Sequence, residues 1–149
     1  MIRLLLALTF TLGLLPAHAA EPVKATAPIQ MKVYKSPTCG CWVMWINYLE
    51  QRGFKVSVVD MDNVQPVKRR LGVSAQLQSC HTGVVDGYVI EGHVPAKDIL
   101  RLLDERPPVI GLTAPGMPTY SPGMMSIEPR DYDVLSFTRD GKVEIFSSY

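Results

Sequence analysis

The sequence carries no excess of charge of either sign: fifteen Lys and Arg stand against fourteen Asp and Glu in 149 residues. That balance excludes the basic face that a nucleic acid or an anionic membrane would require. No internal repeat of solenoid length is present, so a repeat array is excluded. After the apolar run Leu4 to Leu15 there is no second run of membrane length, and stable membrane insertion is not expected. Cysteine is scarce, with three in the chain. An odd number cannot close into a complete internal disulfide framework, so one thiol must pair elsewhere, stay reactive or bind metal.

The one apolar run has the form of a secretory signal. Arg3 precedes it, and Ala17-His18-Ala19 follows as a small-x-small cleavage pattern. Residues 1–19 are therefore expected to be a signal peptide, removed on export to a periplasm. Its removal takes away Arg3 and no acid, which leaves the mature chain close to neutral. Residues 20–30 read as a flexible lead-in. The remainder is long enough for one hydrophobic core and one domain.

The elements follow from periodicity. Met31 to Lys35 reads as a strand leading into Ser36-Pro37-Thr38-Cys39-Gly40-Cys41. Trp42, Trp45, Ile46 and Leu49 fall at i, i+3, i+4 and i+7, one apolar helix face ending before Gly53. Phe54 to Asp60 alternates as a half-buried strand, and Pro66 opens a short helix closed by Gly72. Asp86-Gly87 between two apolar runs is a hairpin signal, and a helix from Pro95 is stopped by Pro107-Pro108. Strand, helix, strand, helix, hairpin, helix is the order of a thioredoxin-like α/β fold (β-α-β-α-β-β-α), here spanning residues 31–106. Residues 107–149 are an extension expected to pack on that domain. Its first part, Pro108 to Arg130, is rich in Pro, Gly and Met and expected to be irregular. Its second part is a terminal hairpin around Arg139 to Lys142.

The chemistry gathers at three places. Cys39 and Cys41 precede a helix, where unpaired backbone N–H groups and the helix dipole stabilise thiolate. A single intervening Gly40 makes a disulfide between them strained and lets both sulfurs face one ion. The hairpin register brings a second group. If Val85 faces Tyr88 across Asp86-Gly87, continued pairing sets Cys80 opposite His93, with His81 beside it. The third is thioether: Pro115-Gly116-Met117-Pro118 is echoed by Pro122-Gly123-Met124-Met125. Thiolate is a soft-metal ligand, and thioether donors prefer Cu(I) over zinc, calcium or magnesium. Cys39, Cys41, Cys80, His81, His93, Met117 and Met124 are thus the candidate ligands of a copper site, while Met44 and Met61 read as packing. Two alternatives stay open: a thiol-disulfide oxidoreductase in which Cys39 attacks and Cys41 or Cys80 resolves, and a zinc site of three Cys and one His.

The run from Ser36 to Cys41, together with Ser79-Cys80-His81-Thr82, Ile90-Glu91-Gly92-His93-Val94-Pro95 and the two Pro-Gly-Met copies, resembles the CopG-like periplasmic copper-resistance family. The likeness covers about residues 31 to 149. It implies a thioredoxin-like domain whose C-terminal extension contributes to metal binding. It also implies a cysteine-bridged copper cluster interconverting Cu(I) and Cu(II), so that the chain would act as a copper oxidoreductase. The family pattern carries a further cysteine directly after the second of its motif, where this chain has Trp42, so one bridging sulfur is missing. The expected partners are copper ions and a periplasmic copper export system, and the chain is expected to be a monomer.

Overall fold

The computed structural model describes residues 27–38, 40 and 42–149. The expected signal peptide and both Cys39 and Cys41 lie outside the described residues. Among the described residues, seven strands and three α-helices follow in the order β1 (Ile29–Lys35), α1 (Trp42–Glu50), β2 (Phe54–Asp60), α2 (Gln65–Arg70), β3 (His81–Val85), β4 (Tyr88–Glu91), α3 (Ala96–Glu105), β5 (Gly111–Thr113), β6 (Asp133–Phe137) and β7 (Val143–Ser148), with a 3-10 turn at Ala75–Leu77. All seven strands form one sheet, ordered β2-β1-β3-β4-β5-β6-β7.

The α1 stripe behaves as its periodicity requires, burying Trp45, Ile46 and Leu49. These pack with Ile99 and Leu102 of α3 on the sheet face that carries Met31, Val33, Val85 and Ile90. Strand pleating turns alternate residues to opposite faces. Val89, next to Ile90, accordingly belongs to a second cluster with Val73, Leu77 and Phe137. Asp86 and Gly87 make the β3–β4 turn, both with positive φ (47° and 86°), and the register runs Val85↔Tyr88, Val84↔Val89, Gly83↔Ile90, Thr82↔Glu91. This is the pairing the Asp-Gly dipeptide predicts.

Two expectations need correction. The Pro108 to Arg130 stretch is not wholly irregular: Gly111–Thr113 is β5, paired parallel to β4 and antiparallel to β6. Short as it is, it buries Leu112 completely, and Gly111 is required there because a Cβ would lie 1.8 Å from the Val89 carbonyl oxygen. The terminal hairpin, β6 and β7, then continues the same sheet. Met44, read as packing, is instead 60% exposed, since it falls outside the apolar stripe of α1.

Candidate metal centre

Pleating separates neighbouring side chains at the end of β3. His81 points to the α1 face with Val85 and Gly83, and Thr82 points to the α2 face. On the α1 face, the His81 ring lies 4.6 Å from the Trp45 ring and 5.1 Å from the His93 ring, centroid to centroid. Trp45 is itself fixed by its indole N–H donating to the Val94 carbonyl at 3.0 Å. Cys80 Sγ sits 3.2 Å from His81 Nδ1. One donor atom from each of Cys80, His81 and His93 lies within 4.8 Å of the others. The register argument from the hairpin therefore holds beyond the last ladder pair: the Gly92 amide donates to the His81 carbonyl at 3.1 Å, and His93 follows directly.

Both imidazoles are fully buried, and the Nε2 of each has no hydrogen-bond partner among the described residues. A buried polar atom left without a partner costs about 1–3 kcal/mol. Here the cause is orientation. His93 Nδ1 donates to the Pro122 carbonyl at 2.8 Å, which leaves the lone pair on Nε2. A second ring nitrogen held by a carbonyl is the arrangement by which proteins aim histidine at a metal. Burial pushes the His81 imidazole down to about 3, helped by neighbouring His93 and Lys68, and burial also lowers His93 against the opposing Pro122 hydrogen bond. Both shifts favour the neutral ring, the protonation state a metal requires.

Two glycines set this geometry. Gly92 has φ 73°, and a Cβ there would lie 2.6 Å from the Ser79 side chain and 2.8 Å from the Ala114 carbonyl oxygen. Gly123 has φ 85° and a Cβ would lie 2.5 Å from the Trp45 amide nitrogen. The second Pro-Gly-Met copy thus packs directly on α1, with Pro122 reaching His93. The first copy is tied to the loop before Cys80: the Gly116 amide donates to the Gln78 carbonyl at 3.0 Å, and the Ser79 hydroxyl donates to the Gly116 carbonyl. Met117 follows and is half exposed, while Met124 lines a groove on the outer side of α1.

Behind the centre, on the opposite sheet face, sequence reasoning missed a buried ion pair. Lys68 of α2 donates to Glu91 and, at 2.9 Å, to Thr82 Oγ1. Thr82 donates to Glu91 at 2.6 Å, and the Ser79 amide donates to the same carboxylate at 2.7 Å. Burial raises the Glu91 carboxyl, with Lys68 and the three hydrogen bonds opposing. The carboxylate thereby fixes the backbone that carries Cys80. A lysine in the basic last turn of a short helix reads as solvated, and only the tertiary pairing buries it. Trp42 is half-buried against the core edge, with the Lys35 ammonium 4.4 Å from its ring centroid.

Fold and site define a mixed α/β protein in which one thiol and two buried imidazoles converge. A model for a protein family of unknown function, DUF411, matches residues 77–124, the stretch that holds Cys80, His81, His93 and both Pro-Gly-Met copies. Two solved structures, "Copper resistance protein copG- Form 1" and "Form 2", are each 45% identical to this chain. They cover 82% of it and 98% of their own length, with TM-scores of 0.76 and 0.75. The chain belongs to the CopG family. No curated protein matches it.

Proposed function

We propose that this is a periplasmic copper-binding protein of copper tolerance, with Cys80, His81 and His93 as three of its ligands. The observation that carries the reading is the pair of buried imidazoles whose Nε2 atoms have no partner among the described residues, grouped with Cys80 so that one donor atom of each lies within 4.8 Å of the others. One thiolate and two imidazoles suit copper in both oxidation states: sulfur favours Cu(I), and nitrogen accommodates Cu(II). Interconversion of the two, one electron per ion exchanged with an external partner, is the activity we assign.

Cys39 and Cys41 complete the sulfur set in this proposal. The described residues flanking them support it, since Lys35 pairs with His81 across the β1–β3 ladder and Trp45 packs on the same ring. Met117, following the glycine tied to Ser79, is the thioether assigned to the edge of the cluster. The β2-β1-β3-β4 order, with β1 and β2 parallel and β3 antiparallel to both β1 and β4, supports the thioredoxin-like reading of residues 31–106. Among the described residues no helix is long and apolar enough to cross a membrane.

Anaerobic loading of the reduced protein, with element analysis and competition against a Cu(I) chelator, tests the proposal. Loss of even an outer partner of a metal ligand costs about 10–100-fold in affinity, so Cys80→Ser or His93→Gln is expected to exceed about a hundredfold. Preference for zinc over Cu(I), or unchanged affinity in both variants, contradicts the reading.

A further inference from the structure

A second concentration of sulfur faces solvent beside the buried centre. Met44 and Met125 are 60% and 77% exposed, and with Met124 they line one groove of about 380 Å³. Thioether side chains ordinarily fill gaps in cores. Three on one open groove, next to an Ile127 that is itself 68% exposed, are not filling a core.

The groove and the centre share a wall. Met44 precedes Trp45, whose ring packs on His81. Met124 follows Gly123, which lies against the Trp45 backbone, and Pro122, whose carbonyl holds His93. The donors available in the groove are thioether sulfurs with the neutral oxygens and nitrogens of Asn47, Tyr48, Gln51 and Ser126, and its lining includes no carboxylate. Hard cations such as calcium and magnesium need charged oxygen ligands, whereas thioethers select Cu(I). The three rotatable bonds of Met let separate sulfurs close on one ion. Neutral thioethers also hold it less tightly than thiolates and imidazoles do.

We infer that Met44, Met124 and Met125 form a second, weak and exchangeable Cu(I) site on the outer side of α1. The inference rests on the copper reading of the buried centre, and its test keeps the two apart. The protein, labelled at the Met methyl carbons and the His nitrogens, is titrated with Cu(I) under anaerobic conditions and followed by NMR. The imidazole signals of His81 and His93 are expected to saturate first. The methyl signals of Met44, Met124 and Met125 should then move together at higher Cu(I). The triple variant Met44→Leu, Met124→Leu, Met125→Leu keeps the apolar volume. It should weaken the second event by about tenfold or more, which is about 1.4 kcal/mol or more, while the imidazole phase remains as the internal measure of folding. Imidazoles that respond while the three methyls stay still would overturn this inference and leave the buried centre intact. So would methyls that titrate in step with the imidazoles, or a second event that survives in the Leu variant, as a docking surface recognised only for its apolar character would allow. Methyls that respond while the imidazoles do not would support the groove and contradict the buried centre.

Discussion

Which nitrogen of each imidazole keeps its lone pair decides what the centre can hold. His93 gives its Nδ1 hydrogen to Pro122, which leaves its Nε2 as the donor to a metal, while the His81 nitrogen beside Cys80 is Nδ1, 3.2 Å from the sulfur. The same burial makes a pH prediction for the metal-free protein. The folded His81 imidazole is held down to about 3 from an ordinary 6.5. Stability from the neutral ring is therefore present above about 6.5 and is lost as pH falls from there toward 3, at about 1.4 kcal/mol per pH unit. Glu91, whose carboxyl is raised, acts in the opposite sense around its own titration, so the ring is best read directly. His81 is expected to give the nitrogen NMR signature of a neutral imidazole in folded protein at pH 5. Titration near 6.5 would show that the ring is not buried as described. Behind it, Lys68→Met would leave the Glu91 carboxylate buried and unpaired. Removing one partner of such a pair costs about 3–5 kcal/mol. Urea unfolding is expected to show that loss, and Lys68→Met combined with Glu91→Gln is expected to recover a substantial part of it. A single variant within about 0.5 kcal/mol of the parent would mean that the pair is solvated.

The elements explain why so much of the site was legible and where legibility stopped. The β3–β4 hairpin could be registered from Asp86-Gly87, because a two-residue turn with both φ positive admits one pairing, and that pairing brought Cys80 to His93. The α1 stripe could be read because Trp45, Ile46 and Leu49 repeat at helical spacing. That Trp45 would also cover two imidazoles has no local signal; it depends on Val94 accepting its N–H from another element. β5 was illegible because three residues carry no periodicity and are held as a strand only by Val89 to Glu91 on one side and Leu135 to Phe137 on the other. Lys68 was illegible because its burial comes from Glu91 and Thr82 on distant strands. Met44 was misread because its apolar character suggested packing, although it lies off the helix stripe. A test at this scale is Gly123→Ala. The added Cβ cannot stand 2.5 Å from the Trp45 amide nitrogen, so the Pro122–Gly123 turn must shift and release His93. Copper affinity is expected to fall by about 10–100-fold, the usual effect of losing an outer partner, with the domain still folded. Unchanged affinity would show that the Pro122 carbonyl does not orient the ring.

Over the whole molecule, the sheet does two jobs at once. One face packs α1 and α3 and ends in the imidazole pair, and the other carries the Lys68–Glu91 pair that fixes the same loop from behind. The extension expected after residue 106 is continuous with this architecture: β5 to β7 lengthen the sheet. Tyr149 and Ser147 each donate to the Asp98 carboxylate of α3 at 2.6 Å, closing the hairpin onto the domain. The segment between β5 and β6 is tied at Ser79 through Gly116 and at His93 through Pro122, which is how the Met-bearing loop comes to border the centre. In this architecture copper is held by Cys80, a ring nitrogen of His81 and the Nε2 of His93. Nitrogen-15 NMR of histidine-labelled protein, before and after anaerobic loading with Cu(I), tests it most directly. On loading, the Nε2 resonance of His93 and a ring-nitrogen resonance of His81 are expected to move, while His93 Nδ1 remains protonated on the Pro122 carbonyl. Loaded protein in which the ring-nitrogen resonances of both histidines stay where they were would rule this centre out.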